Sequence, residues 1–263
     1  MSHIHPTALV DPRARLAEDV QVGPFSIIGP DVSVDAGTVL GSHVEIQGRT
    51  RIGRDNRILG HCSLGGAPQD KKYGGEPTEL IIGDRNTIRE YCTINLGTVQ
   101  DGGVTRIGDD NWIMAYVHVA HDCAVGNHTV LANCVQLAGH VVVGDWTTLG
   151  GFTGVHQFVH VGAHVMAGIS SVLTQDVPPF LLLGGSPATP HGINAEGLRR
   201  RGFGPERIAA LRDAYRKLYR QGLGMVQAMQ ALETLRGERP EASGDIEALM
   251  TFIASSRRGI LRP

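Results

Sequence analysis

An aliphatic side chain recurs at every sixth position over most of this chain. The step runs through residues 4–64, resumes over 82–94 and continues from 107 to 173. Every position in these three series is Leu, Ile or Val, with the exception of Ala167. The position four residues later is small or β-branched in most repeats. The departures from that second rule are Asn56, Asn86 and Asn111.

A period of six fits neither an α-helix nor a simple alternating strand. It is typical of a solenoid in which each hexad forms one short strand and three hexads form a triangular coil, so that residues 18 apart stack in columns. The aliphatic and small positions both point inward, which leaves any ligand site on the outside of the prism. We predict an all-β solenoid over residues 1–177, with loop insertions near 65–80 and 95–106, where the step is interrupted.

The repeat ends at the motif VPPF, and helical signals follow it. The segment GGSPATP (184–190) predicts a turn-rich connection. Beyond it, Pro205 stands at a helix-start position before apolar residues at helical spacing, and two more helices are predicted around 224–237 and 244–258. Residues 191–263 are therefore predicted to form a small α-helical C-terminal domain.

The first part of this domain is locally basic. Residues 191–220 contain eight Lys or Arg side chains and three acidic ones, on a chain whose formal net charge is -2. Such a segment indicates either a solvated helix face or a surface for an anionic partner, and the sequence leaves both open.

Composition excludes several other classes of protein. The near-neutral net charge gives no sign of nucleic-acid binding, and no stretch is long and apolar enough for a membrane span. The N-terminus lacks the pattern of a secretory signal. Four cysteines in 263 residues do not make a disulfide framework, and packing explains the three that fall on the small inward position, Cys62, Cys92 and Cys123. We expect a cytoplasmic protein.

The motif YVHVAHDCAVGN brings two histidines and a carboxylate close together. Adding 18 to His121 gives Gly139, and adding 18 again gives Gln157, while adding 18 to Asp122 gives His140. Successive coils should therefore collect a polar patch on the outer surface. It comprises His118, His121, Asp122, Gly139, His140, His156 and Gln157.

Two kinds of chemistry suit this patch. A metal site needs about three convergent imidazoles with supported second nitrogens, which adjacent subunits could supply. A general base needs one histidine, an acidic partner to fix its tautomer and a donor for a developing oxyanion. His121 beside a glycine fits acyl transfer, because glycine lets a carbonyl approach a backbone N–H closely.

Several motifs together resemble one known family, the UDP-N-acetylglucosamine O-acyltransferases of lipid A synthesis. The resemblance covers essentially the whole chain, including both insertions and the helical tail. It implies a left-handed parallel β-helix, and the hand is taken from the family. The motifs are HVAHDCAVGN, LAGH (137–140), VHQF (155–158), GAHVM (162–166), PQDKKYGGEPT (68–78) and GINAEGLRRRGF (192–203).

The resemblance implies a role for each residue of the patch. His121, with Asp122 as its acidic partner, would remove the proton from the sugar 3-hydroxyl, which attacks the thioester of a 3-hydroxyacyl group on acyl carrier protein. Gly139 would supply the oxyanion N–H. Asp70 and Lys72 match loop residues that hold the substrates. The residues expected around them are His118, His140, His156 and Gln157, and those near the uridine and diphosphate are Asn194, Glu196, Arg200 and Arg201.

The resemblance also implies a homotrimer that needs no metal and no other cofactor, with the histidines of one prism facing the acyl groove of the next. The repeat begins at Ile4, which favours the first enzyme of lipid A synthesis, because the sister acyltransferase of a later step carries an additional N-terminal domain.

The sequence departs from the family pattern at two places. Asn95 and Leu96 replace a frequent His-Arg pair. Ile169 stands where a relative has glycine, and we expect it to stop the acyl chain at roughly ten to twelve carbons.

Two other functions stay open at this point. One is a zinc or iron enzyme like a carbonic anhydrase, using His118, His121 or His140. The other is a non-catalytic hexapeptide scaffold, for which the histidines would have no purpose. Metal content and binding of a UDP-sugar would separate the three.

Overall fold

The computed structural model describes residues 3–100 and 102–262, and its main body is a three-sided prism of short strands. The predicted domain ends, Met1 and Pro263, lie outside the described residues, as does Asp101 in the second insertion. Strands β1 to β26 are two to four residues long, and they follow one another around three parallel sheets.

The strands, numbered in chain order, divide among the three sheets. The first sheet contains β1 (His3–Ile4), β4 (Gln21–Val22), β7 (Val39–Leu40), β10 (Arg57–Ile58), β13 (Thr87–Ile88), β16 (Trp112–Ile113), β19 (Val130–Leu131), β22 (Thr148–Leu149), β25 (Met166–Ala167), β27 (Leu181–Gly185) and β28 (Ala188–Ile193). The second contains β2 (Leu9–Val10), β5 (Ile27–Ile28), β8 (Glu45–Ile46), β11 (Ser63–Gly66), β14 (Thr93–Asn95), β17 (His118–Val119), β20 (Gln136–Leu137), β23 (Gly154–Val155) and β26 (Val172–Leu173). The third contains β3 (Arg15–Leu16), β6 (Ser33–Val34), β9 (Arg49–Ile52), β12 (Glu79–Ile82), β15 (Val104–Ile107), β18 (Ala124–Val125), β21 (Val142–Val143) and β24 (His160–Val161).

Stacked strands pair in parallel, in the register that the repeat predicts. Val119 pairs with Leu137, and Leu137 pairs with Val155, each 18 residues on. From β4 onward the second residue of each two-residue strand is buried, so aliphatic side chains fill the prism. Cys62 and Cys123 are buried free thiols at the small inward position, as expected.

The three asparagines that break the small-residue rule occupy the same inward position and bond to one another. The Oδ1 atom of Asn56 accepts hydrogen bonds from the N–H of Asn86 at 2.9 Å and from its Nδ2 at 3.1 Å. Asn86 Oδ1 accepts from the N–H of Asn111, and Asn111 Oδ1 accepts from Thr129. All four side chains are buried. Each amide oxygen is partnered by the next coil, and the Nδ2 atoms of Asn56 and Asn86 donate to backbone carbonyls, so these buried atoms are satisfied. Among the described residues, Nδ2 of Asn111 is buried without a partner.

Each corner of the prism contains a residue with positive φ. Between the second and third sheets this column is Asp122, His140 and Phe158, with φ values of 59°, 62° and 66°. Side chains are rare in this left-handed region outside glycine, asparagine and aspartate, so the coil geometry imposes it here. The corner turns the chain sharply, and the three residues lie one above another in successive coils.

The last coil is covered by a hairpin, where only a turn-rich connection was predicted. β27 extends the first sheet by parallel pairing with β25, and β28 returns antiparallel to β27. The sequence interpretation missed these strands because two prolines and several glycines dominate the segment.

Four helices follow the hairpin in the part of the chain that the structure describes. They are α1 (Ala195–Arg200), α2 (Pro205–Tyr219), α3 (Met225–Glu238) and α4 (Ser243–Ser255), with a 3-10 turn at Pro240–Ala242. The helix start predicted at Pro205 is confirmed, whereas α1 was not predicted. The buried Tyr215 of α2 donates a hydrogen bond to the Pro190 carbonyl of β28, which ties the helices to the prism. None of the helices in the described ranges combines the length and apolarity needed to cross a bilayer.

Candidate active site

His121 lies at the corner between the second and third sheets, held by a chain of hydrogen bonds. Its Nδ1 is 2.9 Å from Oδ2 of Asp122, whose side chain is 2 % exposed. The Asp122 carboxylate also accepts from the backbone N–H of Thr98 at 2.8 Å and from its hydroxyl at 2.6 Å. An ionised carboxylate can only accept, so Nδ1 of His121 carries the proton and Nε2 presents a lone pair.

Thr98 and Thr105 are functional neighbours that sequence reasoning missed. Thr105 Oγ1 accepts a hydrogen bond from the Asp122 N–H at 2.8 Å, so Asp122 is fixed at its backbone as well as at its carboxylate. Thr98 belongs to the second insertion, where the six-residue period is interrupted. Counting in steps of 18 therefore does not predict that it contacts Asp122.

Gly139 lies against the ring of His121. A methyl group at Gly139 would come within 2.5 Å of Cε1 and 2.6 Å of Nε2 of His121. Gly139 is buried, and within residues 3–100 and 102–262 its N–H makes no hydrogen bond. A buried N–H without a partner is rare and marks a position where a ligand atom can bond.

His140 and Phe158 complete this corner. The rings of His121 and His140 meet edge to face, with centroids 5.0 Å apart, and His140 stacks on Phe158 at 4.4 Å. Nε2 of His140 is 3.8 Å from Asp122 Oδ2. The structure thus brings together His121, Asp122, Gly139 and His140, as the 18-residue stacking predicted.

Two further histidines flank a groove on the second sheet. Nδ1 of His118 is 2.7 Å from the hydroxyl of Thr93, and burial, reinforced by the nearby His121, lowers the pKa of His118, which favours its neutral form. His156 is exposed, and its Nδ1 is 3.1 Å from the Gln157 carbonyl. The groove has a volume of about 390 Å³ and is lined by His118, Gln136, Gly154, His156 and Val172, among others.

The predicted loop pair Asp70 and Lys72 forms a turn in the first insertion, between β11 and β12. Asp70 Oδ1 accepts from the Lys72 N–H at 2.9 Å, and the Lys72 side chain is exposed. Asn95 and Leu96, the departure from the family pattern, are both buried. Asn95 Nδ2 donates to the Ala67 carbonyl at 3.1 Å, so this residue joins the second sheet to the first insertion.

The predicted nucleotide residues lie at α1, against a different corner of the prism. Asn194 caps α1 by accepting from the Gly197 N–H, and it donates to the His164 carbonyl. Arg201 lies over the ring of Trp146, with the guanidinium carbon 5.3 Å from the ring centroid. Trp146 and His164 are positive-φ residues between the third and first sheets. One sheet of the same prism therefore separates this cluster from His121.

Two residues of this second cluster, His164 and Arg201, have lowered pKa values. Burial, together with the charge of Arg201, lowers the pKa of His164 to about 4. Burial also lowers the pKa of Arg201. Glu196 forms ion pairs with Arg199 and with Arg200, both on the exposed face of α1. His164 and Trp146 were not predicted as site residues, although they lie 18 residues apart in one column and His164 falls within the motif GAHVM.

Ile169 lies at the remaining corner, between the first and second sheets. It is 72 % exposed, in the column with Asn133 and Gly151 that the repeat predicted. The N–H of Ser170 bonds to the Gly151 carbonyl, which fixes the stacking of these coils.

A group of three potential metal ligands coincides with the corner of His121. The nitrogen and oxygen atoms of His121, Asp122 and His140 lie within 4.8 Å of one another. Oδ2 of Asp122 already contacts the Thr98 hydroxyl and Nδ1 of His121. A metal at this oxygen would have to break both hydrogen bonds, so the geometry favours a base over a ligand.

The arginines of the basic segment, residues 191–220, differ in whether they form an ion pair with a carboxylate. Arg207 makes a two-pronged ion pair with Asp245 at 2.9 and 2.8 Å, so this side chain stabilises the helical domain and is not free for an anionic partner. Arg216 pairs with Asp213 at 3.0 Å. Arg212 is exposed on α2.

We expect the Gly139→Ala substitution to reduce turnover on the order of 100-fold, because the added methyl group must displace the His121 ring and a misplacement of about 1 Å has that effect. Steady-state kinetics measure the loss, and circular dichroism checks the fold. Gly237→Ala in α3 is the matched control, since a methyl group there meets no atom within 4 Å. Activity of Gly139→Ala within threefold of the parent would contradict the contact.

Comparisons with known proteins identify the family. A family profile described as UDP N-acetylglucosamine O-acyltransferase, domain 2, matches residues 176–261, and the bacterial transferase hexapeptide profile matches residues 105–139. A curated acyl-[acyl-carrier-protein]–UDP-N-acetylglucosamine O-acyltransferase of Thiobacillus denitrificans is 63 % identical over 100 % of both chains. The namesake enzyme of Verminephrobacter eiseniae is 58 % identical, also over 100 % of both.

Solved structures agree. The UDP-N-acetylglucosamine O-acyltransferase of Moraxella catarrhalis is 46 % identical with a TM-score of 0.95, covering 98 % of this chain and 99 % of that one. The acyltransferase of Francisella novicida is 41 % identical with a TM-score of 0.94, covering 99 % and 94 %. The predicted fold class, a left-handed parallel β-helix with a small α-helical C-terminal domain, is confirmed. The chain belongs to the acyl-[acyl-carrier-protein]–UDP-N-acetylglucosamine O-acyltransferase family.

Proposed function

We propose that this chain transfers a 3-hydroxyacyl group from acyl carrier protein to the 3-hydroxyl of UDP-N-acetylglucosamine, the first step of lipid A biosynthesis. The observation that carries this function is the 63 % identity over the full length of a curated enzyme of that name. Of the three functions that the sequence left open, family membership supports acyl transfer over a metal enzyme or an inert scaffold.

His121 is the proposed general base. Its Nε2, opposite the nitrogen that bonds Asp122, takes the proton of the sugar 3-hydroxyl as that oxygen attacks the thioester carbon. The tetrahedral oxyanion accepts a hydrogen bond from the N–H of Gly139. Collapse breaks the C–S bond, and the proton on His121 passes to the departing sulfur, which leaves as the free thiol of the carrier. The bond between Nδ1 and Asp122 stabilises the intervening imidazolium.

The remaining polar residues are proposed to bind the substrates. His118 and His140 flank the base, and His156 and Gln157 extend the site along the same corner. Asp70 and Lys72 contribute from the first insertion. The diphosphate is assigned to Arg200, the last residue of α1, and to Arg201 at its C-cap, because the planar fork of donors of an arginine matches phosphate oxygens. The full set proposed to lie near the uridine and diphosphate is Asn194, Glu196, Arg200 and Arg201.

A homotrimer is the proposed assembly. In one chain the base, the nucleotide cluster and Ile169 occupy three different corners, so they cannot converge on one substrate within a single prism. Placing flat faces against each other in a threefold ring brings the corner of one prism beside the corner of the next. Native mass measurement should give three times 28.1 kDa, and a fully active monomer would contradict the shared site.

Carrier-protein docking is proposed on the exposed part of α2. Arg212 on α2 and Arg220 at its C-cap are exposed, and an acidic carrier would gain long-range attraction from them. The free thiols of the four cysteines support a cytoplasmic location, because disulfides are rare in reducing compartments.

We expect His121→Ala to lower kcat by about 10²–10⁴-fold, the usual contribution of a positioned base. Chelators should leave the parent activity unchanged, since the base in this scheme is an imidazole and not a metal-bound hydroxide. The assay uses 3-hydroxyacyl carrier protein and UDP-N-acetylglucosamine. His43→Ala, an exposed histidine at another corner, serves as the control. A stoichiometric metal whose removal abolishes turnover would overturn this assignment.

We expect Ile169→Gly to shift the preference toward longer acyl donors. An exposed branched side chain at the end of an intersubunit groove excludes further methylenes, and each excluded methylene changes selectivity by about 1 kcal/mol. The parent should prefer donors of roughly ten to twelve carbons. A competition assay with mixed chain lengths measures the shift, and Ile27→Gly on the second sheet is the control. An unchanged length preference would place the stop elsewhere.

A further inference from the structure

The C-terminal strap, residues 256–261, leaves α4 and returns to the last coils of the prism. Asp176, which is 2 % exposed, holds it at three points. Its Oδ2 accepts from the Ser256 hydroxyl at 2.6 Å, its N–H donates to the Gly259 carbonyl at 3.1 Å, and its carbonyl accepts from the Leu261 N–H at 2.7 Å. Asp176 Oδ1 accepts from the His160 N–H of β24, so one side chain joins the strap to the prism.

This anchoring places Arg258 at the corner of the active site. Its Nη1 donates to the Gln157 carbonyl at 2.8 Å, 101 residues away in the sequence. The same carbonyl oxygen is 3.1 Å from Nδ1 of His156. A carbonyl oxygen has two lone pairs and only accepts, so it can bond both groups. Nδ1 of His156 must then carry a proton, which it donates to this oxygen.

The Gln157 carbonyl is the last member of a hydrogen-bonded row of peptide groups. The next N–H, that of Phe158, donates to the Gly139 carbonyl at 3.0 Å. The N–H of His140 in turn donates to the His121 carbonyl at 3.0 Å. The row therefore passes through the backbone of the proposed base and of the proposed oxyanion donor. Its carbonyls point toward Arg258, whose positive charge lies where the aligned dipoles are negative.

We propose that Arg258 is a positioning residue of the active site, which caps this row of peptide groups and fixes the orientation of His156 through the Gln157 carbonyl. The inference rests on the proposed function, in which His156 contacts substrate. It assigns the strap a role in catalysis beyond closing the end of the solenoid.

The test compares Arg258→Ala with Arg258→Lys and with Arg257→Ala, the exposed neighbour on the strap. We expect Arg258→Ala to lower kcat about tenfold, the scale of one charge-assisted hydrogen bond, with an unchanged Tm. Arg258→Lys should recover most of the loss, and Arg257→Ala should match the parent. If Arg258→Ala keeps kcat within twofold, or only raises KM in a salt-dependent way, Arg258 does not position the site.

A double-mutant cycle tests the route through His156. In a His156→Ala background the Arg258→Ala loss should be at least threefold smaller, because contacting groups are not additive. Independent losses would refute the coupling.

Ring ¹⁵N signals of His156 give a readout that needs no turnover. They should shift in Arg258→Ala and stay in place in Arg257→Ala, and an unchanged spectrum would refute the contact. If the parent enzyme transfers no acyl group, the proposed function is refuted. The His156 spectrum would still test whether Arg258 positions that ring.

Discussion

Parallel pairing of coil upon coil is the constraint on which the rest of the structure depends. Two-residue strands have almost no stability alone, and they persist because each bonds to the coil before and the coil after it. The aliphatic column fills the interior and leaves no room for a ligand. Chemistry is thereby confined to corners and outer faces, and at one corner the coil geometry holds Asp122 and His140 at positive φ.

The spacing of the repeat was enough to predict the prism and the stacking of His121 with Gly139 and of Asp122 with His140. It could not predict Thr98, because insertions break the period and the fold of a loop depends on contacts distant in sequence. The contact of Arg258 could not be predicted for the same reason, since it bonds to a residue 101 positions away. Arg207 belongs to the basic segment of residues 191–220, but Asp245 neutralises it, a pairing that a count of local charges does not reveal.

Three corners of the prism have three separate tasks in the proposed mechanism. The corner of His121 carries the base, the corner of His164 supports the nucleotide cluster, and the corner of Ile169 limits the acyl chain. Each is rigid because it is part of a continuous ladder, so substrate positioning requires no induced folding of the prism. Outside these ladders, the first insertion presents the exposed side chain of Lys72 to solvent.

The buried asparagine ladder bears on how the chain finds its alignment while it folds. Aliphatic hexads are interchangeable, so a coil displaced by one turn would still bury hydrocarbon, and hydrophobicity alone cannot choose among such slipped arrangements. The ladder spans the coils lengthened by the insertions, where partners lie 30 and 25 residues apart instead of 18. A slip at Asn86 would strand amides in hydrocarbon without partners, a cost of several kcal/mol. The polar residues in the core therefore specify which coil stacks on which, and so preserve the alignment of the prism across its two long loops.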